Sequence, residues 1–247
     1  MIKQIVILIS IISIAGCSQA DWNLITESLN TVAQNLEQQN EKIKETQKTQ
    51  EIQKTQEIPP ASFVKTVQRI SRAIESNHPI VRNYAVNLAK KYPGAYTVPQ
   101  ICSIWYDLKE NWHYVSDPRV QEYFAPANET IKLGLAGDCD DFAILMASLI
   151  EAIGGGARIN FTLNAKQVNH AYCEVLIGNN EQEKQMALAS IASHLKRRLL
   201  LHWTKDQDSR CWLNLDWSAD YPGGPFFETS QRLVIYPNGS WEIGAVR

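Results

Sequence analysis

GDCDDFAILMASLIEAIGGG, Gly137 to Gly156, is the stretch whose reading decides the fold. Phe142, Leu145, Met146, Leu149, Ile150 and Ile153 recur at helical spacing and predict a buried stripe. Gly154 to Gly156 end the helix, because glycine adopts the backbone conformations that close one. Asp138 suits the N-cap, where its carboxylate accepts a first-turn backbone N–H. Asp140 and Asp141 suit the first turn, where the helix dipole favours negative charge. None of this requires a cysteine at position 139. Taken alone, Cys139 has three readings: a nucleophile, a metal ligand, or a small buried apolar residue.

Downstream, the hydrophobic period changes from helical spacing to two. Residues 157–163, 170–177, 212–217, 232–236 and 240–246 read as strands, with a helix over 181–195 inserted between the second and third. Pro237-Asn238-Gly239 makes the last pair a hairpin. Upstream, Phe63, Val67, Ile70 and Ile74 mark one helical face. A second helix is expected over about 79–91 and a third over about 98–112, with residues 113–136 irregular apart from a short extended piece near Tyr114. Helices first and mostly antiparallel strands after them make an α+β domain over 61–247.

Residues 1–60 have a different character. Met1 to Lys3 is a short basic start, and Ile5 to Ile14 is an apolar run too short to span a bilayer. Ile14-Ala15-Gly16-Cys17 follows and resembles a bacterial lipobox, with 1–16 as signal peptide and Cys17 as the lipidated residue. Ser18 resembles outer-membrane sorting. That resemblance implies a protein held by acyl chains at the periplasmic face of the outer membrane. Residues 17–60 then form a stalk or linker. Trp22, Ile25, Leu29, Val32, Leu36 and Ile43 alternate spacings of three and four, with Gln39 filling the gap, a heptad-like seam through which the chain can self-associate. KTQEI occurs twice, at 48–52 and 54–58, and Pro59-Pro60 marks the boundary of the globular part.

Composition narrows the chemistry. A hydrophobic content of 45% supports a sizeable core, and a net charge of −2 without a basic stripe gives no footprint for nucleic acid. Five cysteines stand at 17, 102, 139, 173 and 211, with no CxxC pair. A structural zinc site and a disulfide framework are therefore both disfavoured. Asp138, Asp140 and Asp141 lack the alternating ligands and glycine of a calcium loop. His78, His113, His194 and His202 stand outside any ligand pattern, and Lys196-Arg197-Arg198 suits a helix end.

His170 and Asp216 give Cys139 possible partners. In the strand around 170–177, Ala171, Cys173 and Val175 share an apolar face and His170, Tyr172 and Glu174 the other. In the next, Leu213 and Leu215 oppose Trp212, Asn214 and Asp216. Both candidates thus sit opposite the apolar side of their strands, which suits one shared cleft. A thiolate is the nucleophilic form of cysteine, favoured by a helix N-terminus and a neighbouring imidazolium. The three aspartates around Cys139 oppose it, so a pairing with His170 is required.

Gly137-Asp138-Cys139-Asp140-Asp141-Phe142-Ala143, His170-Ala171-Tyr172-Cys173-Glu174-Val175 and Trp212-Leu213-Asn214-Leu215-Asp216, in that order, resemble the three core motifs of the transglutaminase-like superfamily. "WHYVSDP" at 112–118 extends the resemblance. It implies a papain-like α+β core, with the nucleophile-bearing helix packed on an antiparallel sheet. It also implies a Cys-His-Asp triad acting on amide bonds through a thioester. By resemblance Cys139 is the nucleophile, His170 the base and Asp216 the orienting acid; no cofactor or metal is implied. A peptidase or amidase in the cell envelope is the leading expectation, acting on protein or peptide. The same triad also serves a transglutaminase or deamidase, and a non-catalytic tethered scaffold is the third class. The aspartate motif departs from the family, continuing Trp217-Ser218 in place of proline and threonine. The second oxyanion donor is unassigned, with Trp105, Trp112 and Tyr114 as candidates.

Overall fold

In the computed structural model the chain divides into two compact units, residues 1–59 and 60–247. The structure describes residues 32, 34, 37–42, 61–117, 123–163, 170–197, 199–227, 229 and 231–245. In the first unit, positions 32, 34 and 37–42 are helical and exposed. The remaining seam positions, the KTQEI repeats, the signal segment, Cys17 and Pro59-Pro60 lie outside the described residues, as does Arg198. No helix among the described residues is long and apolar enough to cross a membrane.

The second unit begins with helices α1 (Ala61–Ala73), α2 (Pro79–Ala89) and α3 (Val98–Asn111). A short β1 (His113–Tyr114), α4 (Ala127–Lys132) and β2 (Ala136–Gly137) lead into α5 (Cys139–Ala152). There follow β3 (Ala157–Leu163), β4 (Ala171–Gly178), α6 (Glu181–Leu195), β5 (Trp203–Lys205), β6 (Cys211–Asn214), β7 (Gln231–Ile235) and β8 (Trp241–Ala245). Strands β3 to β8 form one antiparallel sheet in the order β5-β6-β4-β3-β7-β8. β1 and β2 pair in parallel as a separate ribbon.

Three elements depart from the sequence-based expectation. α4 and β2 fall in the stretch expected to be irregular, because Pro126 opens a helix too short to show a period. β5 escapes notice for the same reason, being only three residues long. His170 and Asp216 also lie just outside their strands, which begin at Ala171 and end at Asn214. At Asp216 the chain turns: Asp216 Oδ1 accepts Ser218 N–H at 2.8 Å and its carbonyl accepts Ala219 N–H at 3.3 Å.

α5 is the centre of the fold. The expected single stripe is instead a helix buried on every side from Asp140 to Ile150. The sheet covers one side, where Ala171, Cys173 and Val175 of β4 and Ala157 and Ile159 of β3 join the core. α2 covers the other, and small residues there, Ala85 on α2 and Ala147 and Ser148 on α5, are fully buried. Ser148 donates to Ile144 O at 2.7 Å and accepts Glu75 N–H at 3.2 Å, so its hydroxyl is satisfied inside the core.

The opposite face of the sheet is polar and equally buried. Arg158 and Glu174 are cross-strand partners, with Nε to Oε2 at 2.7 Å. Arg232 reaches Glu174 Oε1 at 2.9 Å, and Thr204 bridges by donating to Glu174 and accepting from Arg158. The Arg158 guanidinium lies 4.3 Å from the Trp212 ring centroid. Both Glu174 oxygens are thus engaged between two buried guanidiniums, and Arg158 also lies 3.6 Å from Glu242 and 4.0 Å from Asp206. Glu174→Ala removes the carboxylate at Arg232 and leaves Arg158 only the longer contacts to Glu242 and Asp206; it is expected to cost about 3–5 kcal/mol of stability, read from urea unfolding midpoints. A loss below about 1 kcal/mol would show that solvent screens the cluster.

Candidate active site

The nucleophile candidate sits where the sequence builds a helix start. Asp138 takes extended backbone angles as N-cap, and its Oδ1 accepts Asp140 N–H at 3.2 Å. Asp141 completes a capping box by accepting Asp138 N–H through Oδ2 at 3.3 Å, and its Oδ1 accepts Ala125 N–H at 2.8 Å. Gly137 is required by this box, since a Cβ there would press into the Asp141 carboxylate. The cap therefore fixes the chain on both sides of Cys139.

His170 is held from three directions. Its backbone N–H donates to Thr162 Oγ1 at 2.9 Å and its carbonyl accepts Thr162 N–H at 2.8 Å. Its Nε2 lies 2.8 Å from Asp216 Oδ2, with the Asp216 side chain fully buried. Phe227 packs on the imidazole at a centroid distance of 4.6 Å, and Tyr172 stacks on it at 6.2 Å. Engagement of Nε2 by Asp216 leaves Nδ1 as the ring nitrogen able to exchange a proton elsewhere.

Cys139 meets this pair through the backbone. The hydrogen-bonded Thr162–His170 pair makes the neighbouring Phe161–Ala171 pair non-hydrogen-bonded, so the Ala171 N–H points away from β3. It supports the Cys139 sulfur and lowers its pKa. Burial outweighs it, and the charges of Asp138, Asp140 and Asp216 add to burial, so the thiol is pushed up to about 12. Cys102, Cys173 and Cys211 also have raised thiols, above all from burial. What sets Cys139 apart among the described cysteines is access: the others are buried and it is half-buried.

Asp138, Asp140 and Asp141 offer carboxylate oxygens within 4.8 Å of one another. Two of the three carboxylates already accept backbone amides in the cap, so the cluster has a folding role. Of the oxyanion-donor candidates, Trp105 is fully buried in the core and Trp112 packs edge-on against Phe142 at 5.1 Å. Tyr114 is 49% exposed and stacks on Trp217 at 4.9 Å. Thr162, Ala171 N–H and Phe227 were not legible as site residues. Phe227 follows a turn-rich Pro222-Gly223-Gly224-Pro225 segment with no period to place it. The other histidines do separate work: His78 caps α2 by accepting Ile80 N–H at 3.2 Å, and His202 Nδ1 lies 3.3 Å from Gly223 O.

Asp141 gives the site a pH signature. Burial raises its pKa from 3.8 to about 6, against the lowering by the Ala125 N–H. An acid raised on folding binds its proton more tightly in the native state. Its stabilising contribution is therefore fully present below about 3.8 and is lost as pH rises through about 6. Asp141→Asn keeps a carbonyl for the Ala125 N–H and removes the ionisation. Urea midpoints at pH 5 and pH 7 should differ less in this variant than in the parent; an unchanged difference assigns the slope to other groups.

The model of the transglutaminase-like superfamily matches residues 82–213. No curated protein matches the chain. Among solved structures, calcium-bound LapG of Legionella pneumophila is similar at 18% identity and a TM-score of 0.40, over 67% of this chain and 82% of that one. EGTA-treated LapG is similar at 16% identity and a TM-score of 0.41, over 72% and 89%. A candidate cysteine protease from Cytophaga hutchinsonii is similar at 18% identity and a TM-score of 0.37, over 71% of this chain, which spans 53% of that one.

Proposed function

The chain belongs to the transglutaminase-like superfamily, and from that premise we propose a lipid-anchored cysteine enzyme that opens amide bonds through a thioester at Cys139, acting foremost as a peptidase or amidase in the cell envelope. The observation that carries this reading is the buried 2.8 Å contact between His170 and Asp216 beside a half-buried thiol at a capped helix start. A carboxylate on the far nitrogen of an imidazole fixes the tautomer and stabilises the imidazolium.

The resting thiol is protonated, since its pKa is pushed up to about 12 by burial first and by Asp138, Asp140 and Asp216 after it. His170 Nδ1 takes the proton as sulfur attacks the substrate carbonyl. The carbonyl electrons move to oxygen, and the Cys139 backbone N–H, at the helix start, stabilises that oxyanion. As the C–N bond breaks, imidazolium returns the proton to the leaving amine. Water, with His170 again as base, then cleaves the thioester, releasing the acid and restoring the thiol. An amine in place of water gives transamidation by the same steps. Cys17 as lipid anchor and the 22–43 seam as a self-association surface complete the proposal; they would hold the enzyme beside membrane-proximal protein or peptide substrates.

Iodoacetamide tests the site. Cys139 should be alkylated well before Cys102, Cys173 and Cys211 in the folded protein, and His170→Ala should slow this by about 10²-fold. Equal labelling of all four, or no effect of His170→Ala, defeats the catalytic reading. Products follow from mass spectrometry of envelope extracts with parent or Cys139→Ala protein: new peptide termini mean hydrolysis, and a mass gain on glutamine side chains means transfer or deamidation. Cys17→Ser should move the protein from the membrane to the soluble fraction; retention on membranes excludes the lipid anchor.

A further inference from the structure

One side chain at the end of β6 reaches both halves of the histidine–aspartate pair. Asn214 is fully buried. Its Oδ1 accepts the Asp216 N–H at 3.2 Å, the bond an asparagine makes to the backbone two residues on. Its Nδ2 donates to Gly224 O at 3.0 Å and to Pro225 O at 2.9 Å. Its carbonyl accepts the Gly223 N–H at 2.7 Å, and the His202 N–H donates to Gly223 O at 2.8 Å. Residues 223–227 are thereby strapped against the polar side of β4. Gly223 is required there: its φ is +83°, and a Cβ would press on Leu201 and Leu213.

The strap ends on the base. Phe226 packs on Tyr172 at a centroid distance of 5.9 Å and edge-on to His202 at 6.1 Å. Phe227 follows it onto the His170 imidazole at 4.6 Å, with 33° between planes. The other end of the Asn214 amide fixes the backbone from which the Asp216 side chain leaves. Asp216 Oδ2 then meets His170 Nε2 at 2.8 Å, while Oδ1 is engaged by the Ser218 N–H. Such a bond orients an imidazole only while the carboxylate is fixed and water is kept from competing for either partner. Satisfying buried carbonyls would by itself be a folding role. Here the acceptor end and the donor end of one amide lead to the same imidazole ring.

We propose that Asn214 is a positioning residue of this pair: its acceptor end sets the Asp216 carboxylate, and its donor end holds the strap that keeps Phe227 on His170. The proposal rests on His170 acting as base for Cys139. Asn214 touches no reacting atom and exchanges no proton. It acts through the orientation of the imidazole, whose Nδ1 must face the sulfur when the proton moves. A primary amide suits the task, because one oxygen accepts and two N–H groups donate from a single plane. Aspartate keeps the acceptor but turns the donor end into a second acceptor facing two carbonyls. Phe227 is the cover that the strap delivers, a ring without polar atoms laid on the imidazole.

Acylation of Cys139 by p-nitrophenyl acetate in the full chain is the test. Asn214→Asp should slow acylation by about tenfold, in kcat, with KM within about twofold of the parent. Phe227→Leu leaves every Asn214 bond in place and should lower kcat in the same sense. The deciding measurement repeats Asn214→Asp in the His170→Ala background, where no imidazole remains to be oriented. There the substitution should change acylation by less than about twofold. A loss of about tenfold that persists without His170 assigns Asn214 to the fold and overturns the proposal. So does Asn214→Asp acylated within about twofold of the parent. Cooperative urea unfolding shows that each variant is folded. Where Asn214→Asp does not fold, Phe227→Leu decides alone, and acylation within about twofold of the parent overturns the proposal. A parent that is not acylated, or whose rate is indifferent to His170→Ala, ends the proposed function and this inference together, whereas failure of Asn214 alone leaves the function intact.

Discussion

Burial of α5 on all sides is the constraint from which the rest follows. A helix surrounded by sheet and helices cannot rely on water for the unsatisfied N–H groups of its first turn. Asp138 and Asp141 meet that need from within the sequence, and Gly137 leaves room for them to do so. The cap in turn holds β2 in register with β1 and delivers Tyr114 to the same end of the helix. The sheet that covers α5 starts its central strand at Ala171, so the residue before it arrives beside the helix start. Cys139 and the residues around His170 meet because one buried helix and one buried strand share an end.

The same arrangement makes the thiol reluctant. Helix terminus and Ala171 N–H favour the anion, but burial and three carboxylates oppose it more strongly. The acids cannot simply be removed, since Asp138 is the cap that places the cysteine and Asp216 is the partner of His170. Folding and reactivity are therefore in conflict at one helix turn. In the proposed reaction the His170–Asp216 pair resolves it, by accepting the proton only when the thiol attacks. On the far side of the sheet, Glu174 lies between Arg158 and Arg232 where all three are buried, with Glu242 and Asp206 also beside Arg158.

The fold was legible wherever a period ran long enough to be read. α5, α6, β3 and the last hairpin show in the spacing of their apolar residues; α4 and β5 do not, because six and three residues hold too little of any period. Strand alternation correctly separated Cys173 from Glu174, yet gave no hint that the polar side is buried as deeply as the apolar one. That fact depends on which charges meet across strands, and register is set by tertiary structure. The family order of motifs singled out Cys139, His170 and Asp216, and the spacing of apolar residues placed two of them on suitable faces. Supporting groups remained hidden. Thr162 acts through the hydrogen bond that replaces a backbone carbonyl, Ala171 acts through its N–H, and Phe227 comes from an aperiodic turn.

A thiol held in its protonated form is also a durable one. Peroxides and disulfides react with thiolates, so a low thiolate population slows oxidation to sulfenic acid and capture in mixed disulfides. Most catalytic cysteines are reactive because they are ionised at rest, and are exposed to that damage throughout their lifetime. Here burial, and after it the carboxylates of Asp138, Asp140 and Asp216, push the Cys139 thiol up and disfavour its anion. Asp138 thus does two things at once, capping the helix and helping to shield the sulfur beside it from oxidation.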